Sequence, residues 1–521
     1  MKYKVSVMAA VVLAFLAPPA SAELSAKDSQ PTRPNFLVIV ADDMGFSDLG
    51  AFGGEISTPN LDSLANRGIR LANFHVAPTC SPTRAMLLTG RDQHTVGLGL
   101  MAEIPIPGPR PAGHEGYLTT RETIATRLRD AGYTTLIAGK WHLGDQPGRW
   151  PEDRGFDRSY VLHQGGGNHF GLDQLEPAVS SPLGNTFSHD GEWTHYPVGA
   201  YSADEFTNRM LGFLRDNDAK DQPFFAYLAF TQPHWPLQAH AAVIQHYRSM
   251  YDDGPRALEQ SRRERMAALG FAIDTDDASL VEGEDWQSLP QDERDRAATE
   301  MEVYAAMIEE MDRNVGRVIA ELDRAGELES TVIIFMSDNG ASGSSFSEVR
   351  SIYTNLGTDP SVLASLDTAS SAPSAIGAPD SFAVYGSQWS QAAMSPSRLY
   401  KGFTNEGGIR SAAFVSGPGI QGGTISDTLL SVRDIYPTLL DLAGVAHEAD
   451  STDGGARSWL PMISGSATRI RNPNEILAMG FNGRRMIARA DGWKAIYSAP
   501  ASRGLHRGAP VWQLYNLNED P

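Results

Sequence analysis

The sequence predicts an α/β fold in which helices flank a mostly parallel central sheet. Four short apolar runs are typical of buried strands, and each ends at a polar cluster: NFLVIV before ADD (35–43), YTTLIA before GKWH (133–142), FFAYLAF before TQPH (224–234) and TVIIFM before SDNG (331–340). Strands that alternate with helices favour a parallel sheet covered on both faces. Because such sheets bind ligands outside the carboxyl ends of their strands, we expect the four polar clusters to converge.

Helical patterns lie between these runs. One covers Thr119 to Ala131, and a longer one lies around 295–325. Apolar residues of the longer pattern recur at the spacing of one helix face, which predicts a packing helix: Tyr304, Met307, Ile308, Met311, Val315, Val318, Ile319 and Leu322. The segments 251–298 and 357–395 lack such periodicity, and we expect long excursions there of the kind that form lids or mobile segments.

Three regions are predicted along the chain. Residues 1–22 form a signal peptide, 23–446 the main α/β domain, and 447–521 a small C-terminal α+β subdomain. A stretch rich in Gly and Asp at 447–456 marks the second boundary. Four strand-like runs after it predict an antiparallel sheet: ILAMGF, RRMIARA, WKAIYS and VWQLYNL.

The N-terminus has the layout of a secretory signal peptide. Lys2 and Lys4 precede an apolar run from Val5 to Leu16, and small residues ending at Ala22 provide a cleavage site. The apolar run is short for a stable membrane span, so an uncleaved anchor is the weaker alternative. We therefore expect the mature protein in the periplasm or outside the cell, without stable membrane insertion.

The chain is strongly acidic. Its formal charge is −20, and removal of residues 1–22, which hold two lysines and no acid, makes it −22. Such a surface repels nucleic acid and anionic membranes, so neither is an expected partner. An anionic substrate would have to be captured by a local cluster of cations or by a metal.

Cys80, within APTCSPTRAMLLTGR, is the only cysteine of the chain. It cannot form an internal disulfide, and a chain of this length can bury a large core without one. Two interpretations follow from the residues alone: a small buried hydrophobe, or a reactive group. Arg84, four residues further along, could anchor whatever Cys80 becomes.

Two pairs of oxygen donors follow predicted strands. Asp42-Asp43 and Asp338-Asn339 offer the hard carboxylate and amide oxygens that suit Ca²⁺ or Mg²⁺. One Asp-Asp pair alone is more often a solvated turn, whereas two pairs at the same predicted sheet edge indicate a metal site. The near absence of cysteine argues against structural zinc.

Lys140, His142 and His234 also follow predicted strands. Each alone is more often a surface lysine or a core histidine, but beside a metal they become candidates for anion binding and proton transfer. Lys401, in RLYKGFTNEGGIR, follows an irregular segment, so the sequence pattern alone does not predict where it lies in the fold. The residues 165–169, GGGNH, either border the same pocket or form a plain flexible loop.

Two long motifs resemble the signatures of the formylglycine-dependent type I sulfatases. Residues 78–90, PTCSPTRAMLLTG, look like the first signature, whose core Cys-x-Pro-x-Arg directs oxidation of the cysteine to Cα-formylglycine. Residues 132–144, GYTTLIAGKWHLG, resemble the second signature over its whole length. ADDMGFSDLG, PHWPLQAH, SDNGA and YKGFTNEGGIR are most similar to bacterial arylsulfatases. The resemblance implies an alkaline-phosphatase-like fold, with 23–446 as the catalytic domain.

The resemblance also implies a role for each matching residue. A Ca²⁺, in preference to Mg²⁺, would be held by the formylglycine made from Cys80 and by four oxygen donors: Asp42, Asp43, Asp338 and Asn339. Arg84 and Lys140 would fix and polarise the formylglycine, and His142 would contact its hydroxyl. His234 and Lys401 would bind the sulfate ester near its leaving oxygen. A formylglycine-generating maturation enzyme is the implied protein partner.

The activity implied is that of a sulfuric ester hydrolase of the arylsulfatase type. A formylglycine hydrate would attack a small-molecule or saccharide sulfate ester and pass through a covalent sulfate intermediate, giving an alcohol or phenol and inorganic sulfate. Two alternatives stay open: a phosphodiester or phosphonate monoester hydrolase on the same scaffold, and an inactive secreted binding protein. Relatives continue beyond VWQLYNLNEDP, so a truncated C-terminal subdomain is expected.

Overall fold

The computed structural model of the protein describes Met1 and residues 33–106, 108–174, 185–218, 222–275, 281–371, 376–447, 455–498 and 511–519. The chain divides into two units, Met1–Arg33 and the compact Pro34–Pro521. Apart from Met1, the predicted signal peptide lies outside the described residues. Within the described residues, no helix combines the length and apolar character that a membrane crossing requires.

The strands of the described residues form two main sheets and a two-stranded pair. In chain order they are β1 (Asn35–Ala41), β2 (Ile69–Leu71), β3 (Phe74–His75), β4 (Thr134–Lys140), β5 (Arg158–Leu162), β6 (Phe187–His189), β7 (Glu192–Thr194), β8 (Phe224–Ala229), β9 (Thr331–Ser337), β10 (Ala413–Ser416), β11 (Thr424–Ser426), β12 (Leu430–Ser431), β13 (Ile476–Phe481), β14 (Arg484–Arg489), β15 (Trp493–Ser498) and β16 (Val511–Asn516).

The helices of the described residues flank the large sheet. They are α1 (Pro59–Arg67), α2 (Cys80–Thr89), α3 (Ile124–Asp130), α4 (Ser202–Asp218), α5 (Ala241–Ile244), α6 (Pro255–Ala268), α7 (Gln291–Arg324), α8 (Phe346–Asn355), α9 (Pro360–Ser371), α10 (Gly386–Ala393), α11 (Glu406–Ile409), α12 (Ile435–Leu442) and α13 (Leu460–Ile463).

The large sheet has ten strands in the order β11-β2-β10-β9-β1-β8-β4-β5-β6-β7. Its centre, from β9 through β1, β8 and β4 to β5, is parallel, and β10, β6 and β7 add antiparallel pairs. The four strands predicted from apolar runs are thus four consecutive central strands. The predicted α/β fold with a mostly parallel sheet is confirmed, and the carboxyl ends of these four strands lie at one edge.

The predicted helices are present with adjusted bounds. The long helix α7 begins four residues before the predicted start, and its apolar face is buried against the sheet core except for a partly buried Ile319. The shorter helix α3 begins at Ile124 instead of Thr119. Thr123 caps it, since its side chain accepts from the Thr126 amide while the Thr126 hydroxyl oxygen accepts from the Thr123 amide.

The two segments without apolar periodicity contain helices that the sequence pattern did not predict. In 251–298, α6 starts at Pro255 after Gly254, and its Arg262 is fully buried. In 357–395, α9 packs Leu363 and Leu366 into a small apolar cluster of its own. Both helices bury polar or scattered apolar groups, which a search for a continuous apolar face cannot detect.

The C-terminal strands β13 to β16 form a four-stranded antiparallel sheet in chain order, which confirms the predicted small sheet. One face of this sheet, including Leu477, Met486 and Ile496, joins the core of the main sheet. The domain boundary at 447 stays a prediction, because residues 448–454 are not described.

Candidate active site

The four central strand ends bring the predicted polar clusters together. Asp42-Asp43 follow β1, Lys140 is the last residue of β4, and Asp338-Asn339 follow β9. His234 lies in the loop after β8, and Cys80 is the first residue of α2. Ligand atoms of Asp42, Asp43, Cys80 and His234 all lie within 4.8 Å of one another. Four of the ten predicted site residues therefore lie around one point at the sheet edge.

Cys80 lies at the centre of this group and is buried. Its Sγ is 3.4 Å from Asp42 Oδ1, 3.7 Å from Asp43 Oδ1 and 3.4 Å from Lys401 Nζ. Burial raises the pKa of the Cys80 thiol well above its usual range, and the nearby carboxylate of Asp338 raises it further. The unmodified thiol is therefore protonated at neutral pH and is a poor nucleophile.

Each carboxylate of the cluster is paired with a cation. Lys140 Nζ lies 2.8 and 2.7 Å from the two oxygens of Asp42. Lys401 Nζ lies 2.7 and 2.8 Å from those of Asp43. The third pair joins Arg84 to Asp338, with Nε and Nη2 donating to Oδ2 at 2.9 and 2.7 Å. Three buried acids thus balance two buried cations and the partly buried Lys401. The cluster can accept a divalent cation together with an anionic ester.

The oxygen donors fit a hard divalent cation. Asn339 Nδ2 donates to Asp43 Oδ1 at 2.6 Å, while Asn339 Oδ1 is buried without a hydrogen-bond partner. Burial raises the pKa of Asp42, although Lys140 opposes that shift. A cation between the carboxylates would use the free amide oxygen and would favour the ionised form of all three acids. The donor chemistry thus supports a site for a hard divalent cation.

The two histidines have different partners. His142 Nε2 lies 3.0 and 3.1 Å from the carboxylate oxygens of Glu103, and His142 Nδ1 is buried without a partner. His234 Nδ1 donates to the Trp235 carbonyl at 2.7 Å, which leaves Nε2 at 3.6 Å from Asp43 Oδ2. Burial lowers the pKa of both rings, while Glu103 and Asp43 partly oppose the shift. One nitrogen of each ring is therefore fixed by a hydrogen bond, to Glu103 for His142 and to the Trp235 carbonyl for His234.

The glycines at 165 and 166 border the pocket, as one of the two interpretations of the GGGNH segment expected. A Cβ at Gly165 would come within 2.7 Å of the His142 ring, and one at Gly166 within 3.0 Å of the His234 ring. The same segment reaches the far side of His234, since His169 Nε2 donates to the His234 carbonyl at 2.9 Å. Because Gly165 and Gly166 have no side chains, the backbone of this loop can approach both rings closely and limit their movement.

We expect Gly165→Ala to lower any turnover that depends on His142 about 10-fold or more, because the added methyl group displaces the His142 ring and a small misplacement of a reacting group is costly. Gly212→Ala in α4 is the matched control, since nothing lies within 4 Å of its Cβ position. The measurement is steady-state turnover of both variants beside thermal melting. Equal kcat in Gly165→Ala and the wild type would contradict the assigned packing.

Three buried side chains hold the loop after β1 from behind. Arg262 Nη1 donates to Asp48 Oδ1 at 2.6 Å, and the Tyr304 hydroxyl donates to Asp48 Oδ2 at 2.6 Å. Asp48 Oδ2 also accepts from the Gly45 amide at 2.6 Å. This network fixes the turn that carries Asp42 and Asp43. Asp48 belongs to the motif ADDMGFSDLG, but Arg262 lies in the weakly patterned segment 251–298, where no sequence signal pointed to it.

Glu103 is a second site residue that the sequence did not reveal. It lies in an irregular stretch without secondary structure, 39 residues before His142 in the chain. An acid in such a loop is typical of solvent-exposed surface, so neither its type nor its spacing indicated a contact with a site histidine.

The site opens into a mostly apolar cavity of about 230 Å³. Cys80, His142, His234 and Lys401 lie among its lining residues. Five aromatic rings form much of the remaining wall: Trp235, Tyr353, Tyr400, Phe403 and Phe481. The arrangement places an anion-binding cluster beside a wall that suits a planar apolar group.

Comparisons with known proteins find relatives over most of the chain. The family model described as Sulfatase matches residues 34–445. An uncharacterised sulfatase of Schizosaccharomyces pombe is 41% identical over 516 residues, covering 95% of this chain and 90% of the relative. An arylsulfatase of Klebsiella aerogenes is 36% identical over 470 residues, covering 89% and 96%. The crystal structure of Ps i-CgsB in complex with k-i-k-neocarrahexaose has a similar fold, with a TM-score of 0.64, 24% identity and coverage of 94% and 87%.

Proposed function

The chain belongs to the sulfatase family, whose members hydrolyse sulfuric esters, and we propose that it acts on aryl sulfates to release a phenol and inorganic sulfate. One observation carries the proposal: the buried Lys140 and Arg84 and the partly buried Lys401 lie around Cys80 at the end of an aromatic-lined cavity. Buried cations stabilise the charge on sulfuryl oxygens, while the aromatic wall receives the leaving group.

The proposal includes two groups that the chain must acquire. A maturation enzyme oxidises Cys80 to Cα-formylglycine. The hydrated aldehyde would be the nucleophile and would carry the covalent sulfate. Ca²⁺, in preference to Mg²⁺, supplies positive charge that lowers the pKa of a neighbouring hydroxyl. The residues that would hold the cation are Asp42, Asp43, Asp338, Asn339 and residue 80.

The remaining side chains act on charge and protons. Lys140 and Lys401 bind the sulfuryl oxygens. Arg84 holds Asp338, and Asp338 accepts the first proton. His234, assisted by Lys401, protonates the departing oxygen through Nε2, since Nδ1 is engaged by the Trp235 carbonyl. His142 removes a proton from the second hydroxyl of residue 80 and so releases sulfate.

We also propose that the protein is exported and cleaved before Glu23, as the N-terminal sequence predicts. N-terminal sequencing of the protein from its native host checks this proposal. A mature N-terminus at Met1 would contradict it.

The function is tested by comparing kcat/KM for an aryl sulfate, an aryl phosphate, an aryl phosphodiester and a sulfated monosaccharide. We expect the aryl sulfate to be the best of the four, by about 10-fold or more over the sulfated sugar, because burial of an aromatic ring contributes about 1.5–3 kcal/mol. Higher efficiency on a phosphorus ester would favour the phosphodiesterase alternative. A better saccharide substrate would move the specificity away from aryl esters.

Maturation is tested separately by mass spectrometry of the tryptic peptide from Leu71 to Arg84. Active protein from its native compartment is expected to carry an aldehyde at residue 80. A quantitative thiol in an active preparation would contradict the proposed nucleophile, and a thiol in an inactive one would support the binding-protein alternative.

A further inference from the structure

Glu103 is an acid in a site that must bind an anion. Among the described residues that line the cavity it is the only Asp or Glu, and it is one quarter exposed. An unpaired carboxylate there would repel a sulfate ester. Both of its oxygens instead lie 3.0 and 3.1 Å from His142 Nε2, so its charge is directed at the ring.

The loop that carries Glu103 is held in a defined conformation. The Arg110 guanidinium donates to the carbonyls of Met101 at 3.1 Å, Ala102 at 2.7 Å and Ile104 at 2.7 Å, which flank Glu103 on both sides. A fourth bond, to the His114 carbonyl at 3.0 Å, ties this segment to the next turn. The contact between Glu103 and His142 therefore rests on a fixed backbone.

The His142 ring is also confined by Gly165, where even a Cβ would come within 2.7 Å of Cε1. Since Nε2 faces Glu103, the bond to the carboxylate places the proton of the neutral ring on Nε2. Nδ1 is then the nitrogen with a free lone pair, and it is buried without a partner.

We propose that Glu103 is a positioning residue that acts through His142 in the release of sulfate from residue 80. The inference rests on the proposed function, because it concerns the second step of the same reaction. In that step the hydroxyl proton of the sulfated residue 80 passes to His142 Nδ1, and the O–H electron pair forms the aldehyde C=O. The bond from the same carbon to the sulfate oxygen breaks, and sulfate leaves with the electron pair of this C–O bond. Glu103 stays ionised and stabilises the imidazolium, as the acid of a Ser-His-Asp triad does.

The test uses matured protein and compares Glu103→Gln and Glu103→Ala with the wild type. Glu122→Gln is the matched control, because Glu122 is exposed and its ion pairs are with Arg91 and Arg127. We expect Glu103→Gln to lower kcat and KM together, by about 10- to 100-fold, and to change kcat/KM by less than about 3-fold, because only the step after the covalent intermediate slows. A burst of phenol equal to the matured sites should precede slow turnover, and the peptide 71–84 should be recovered carrying sulfate.

A second readout does not depend on turnover. The NMR signals of the His142 ring nitrogens are measured in unmatured protein labelled with ¹⁵N-histidine, and His142→Gln assigns them. We expect His142 to be the Nε2–H tautomer in the wild type. Glu103→Ala should reduce the population of this tautomer. Wild-type kcat in Glu103→Gln, loss of the burst together with turnover, or a Nδ1–H tautomer in the wild type would each overturn the inference. An inactive but fully matured wild type would instead overturn the proposed function.

Discussion

Replacement of Cys80 by alanine is expected to lower kcat for aryl sulfate hydrolysis by at least about 10⁴-fold, because loss of a covalent nucleophile removes the whole reaction path that depends on it. The fold should remain, since Sγ makes only contacts of 3.4 Å or longer with Asp42, Asp43 and Lys401. Met86→Leu, a volume-conserving change on the same helix, is the control and should keep turnover.

Cys80→Ser separates the aldehyde from a simple oxygen nucleophile. Serine can accept sulfate once but has no second hydroxyl on the same carbon, so His142 has no proton to remove and the ester persists. We expect at most one phenol per protein molecule and an intact mass increased by one sulfate. Repeated turnover by Cys80→Ser, or wild-type turnover by Cys80→Ala, would rule out the hydrated aldehyde as the nucleophile.

Asp43→Asn is expected to produce the second largest loss, about 10³-fold or more in kcat, because Asp43 is shared by several site residues. Its carboxylate accepts from Lys401 and Asn339, and His234 Nε2 lies 3.6 Å away. The amide keeps the shape but removes a charge that a cation and Lys401 both need. Breaking a buried ion pair on one side costs about 3–5 kcal/mol, so the melting temperature should also fall.

Metal binding gives an independent measure of the same variant. Added Ca²⁺ is expected to raise the melting temperature of the wild type by mass action and to leave Asp43→Asn unchanged. Asp252→Asn, at an exposed position, should respond as the wild type does. An undiminished calcium shift in Asp43→Asn would show that Asp43 is not a ligand, and a larger shift with Mg²⁺ would reverse the preferred cation.

The sheet was predictable because its central strands are continuous apolar runs, and such runs occur where both faces of a strand are buried. The same rule located Asp42, Lys140, His234 and Asp338, since each follows one of those runs. Lys401 required the family resemblance, because it follows an irregular segment that no periodicity places. Helices α6 and α9 escaped prediction, since α6 buries polar side chains and α9 buries only two leucines.

Local pattern therefore specified the fold class, the chemistry at the strand ends and the family. Packing alone assigned each cation to its carboxylate, Lys140 to Asp42, Lys401 to Asp43 and Arg84 to Asp338, and it alone brought Glu103 to His142. The physical reason is the sequence separation of the residues that interact. A strand or a motif is encoded by neighbours along the chain, whereas a contact between residues far apart in sequence depends on how the whole core closes around them.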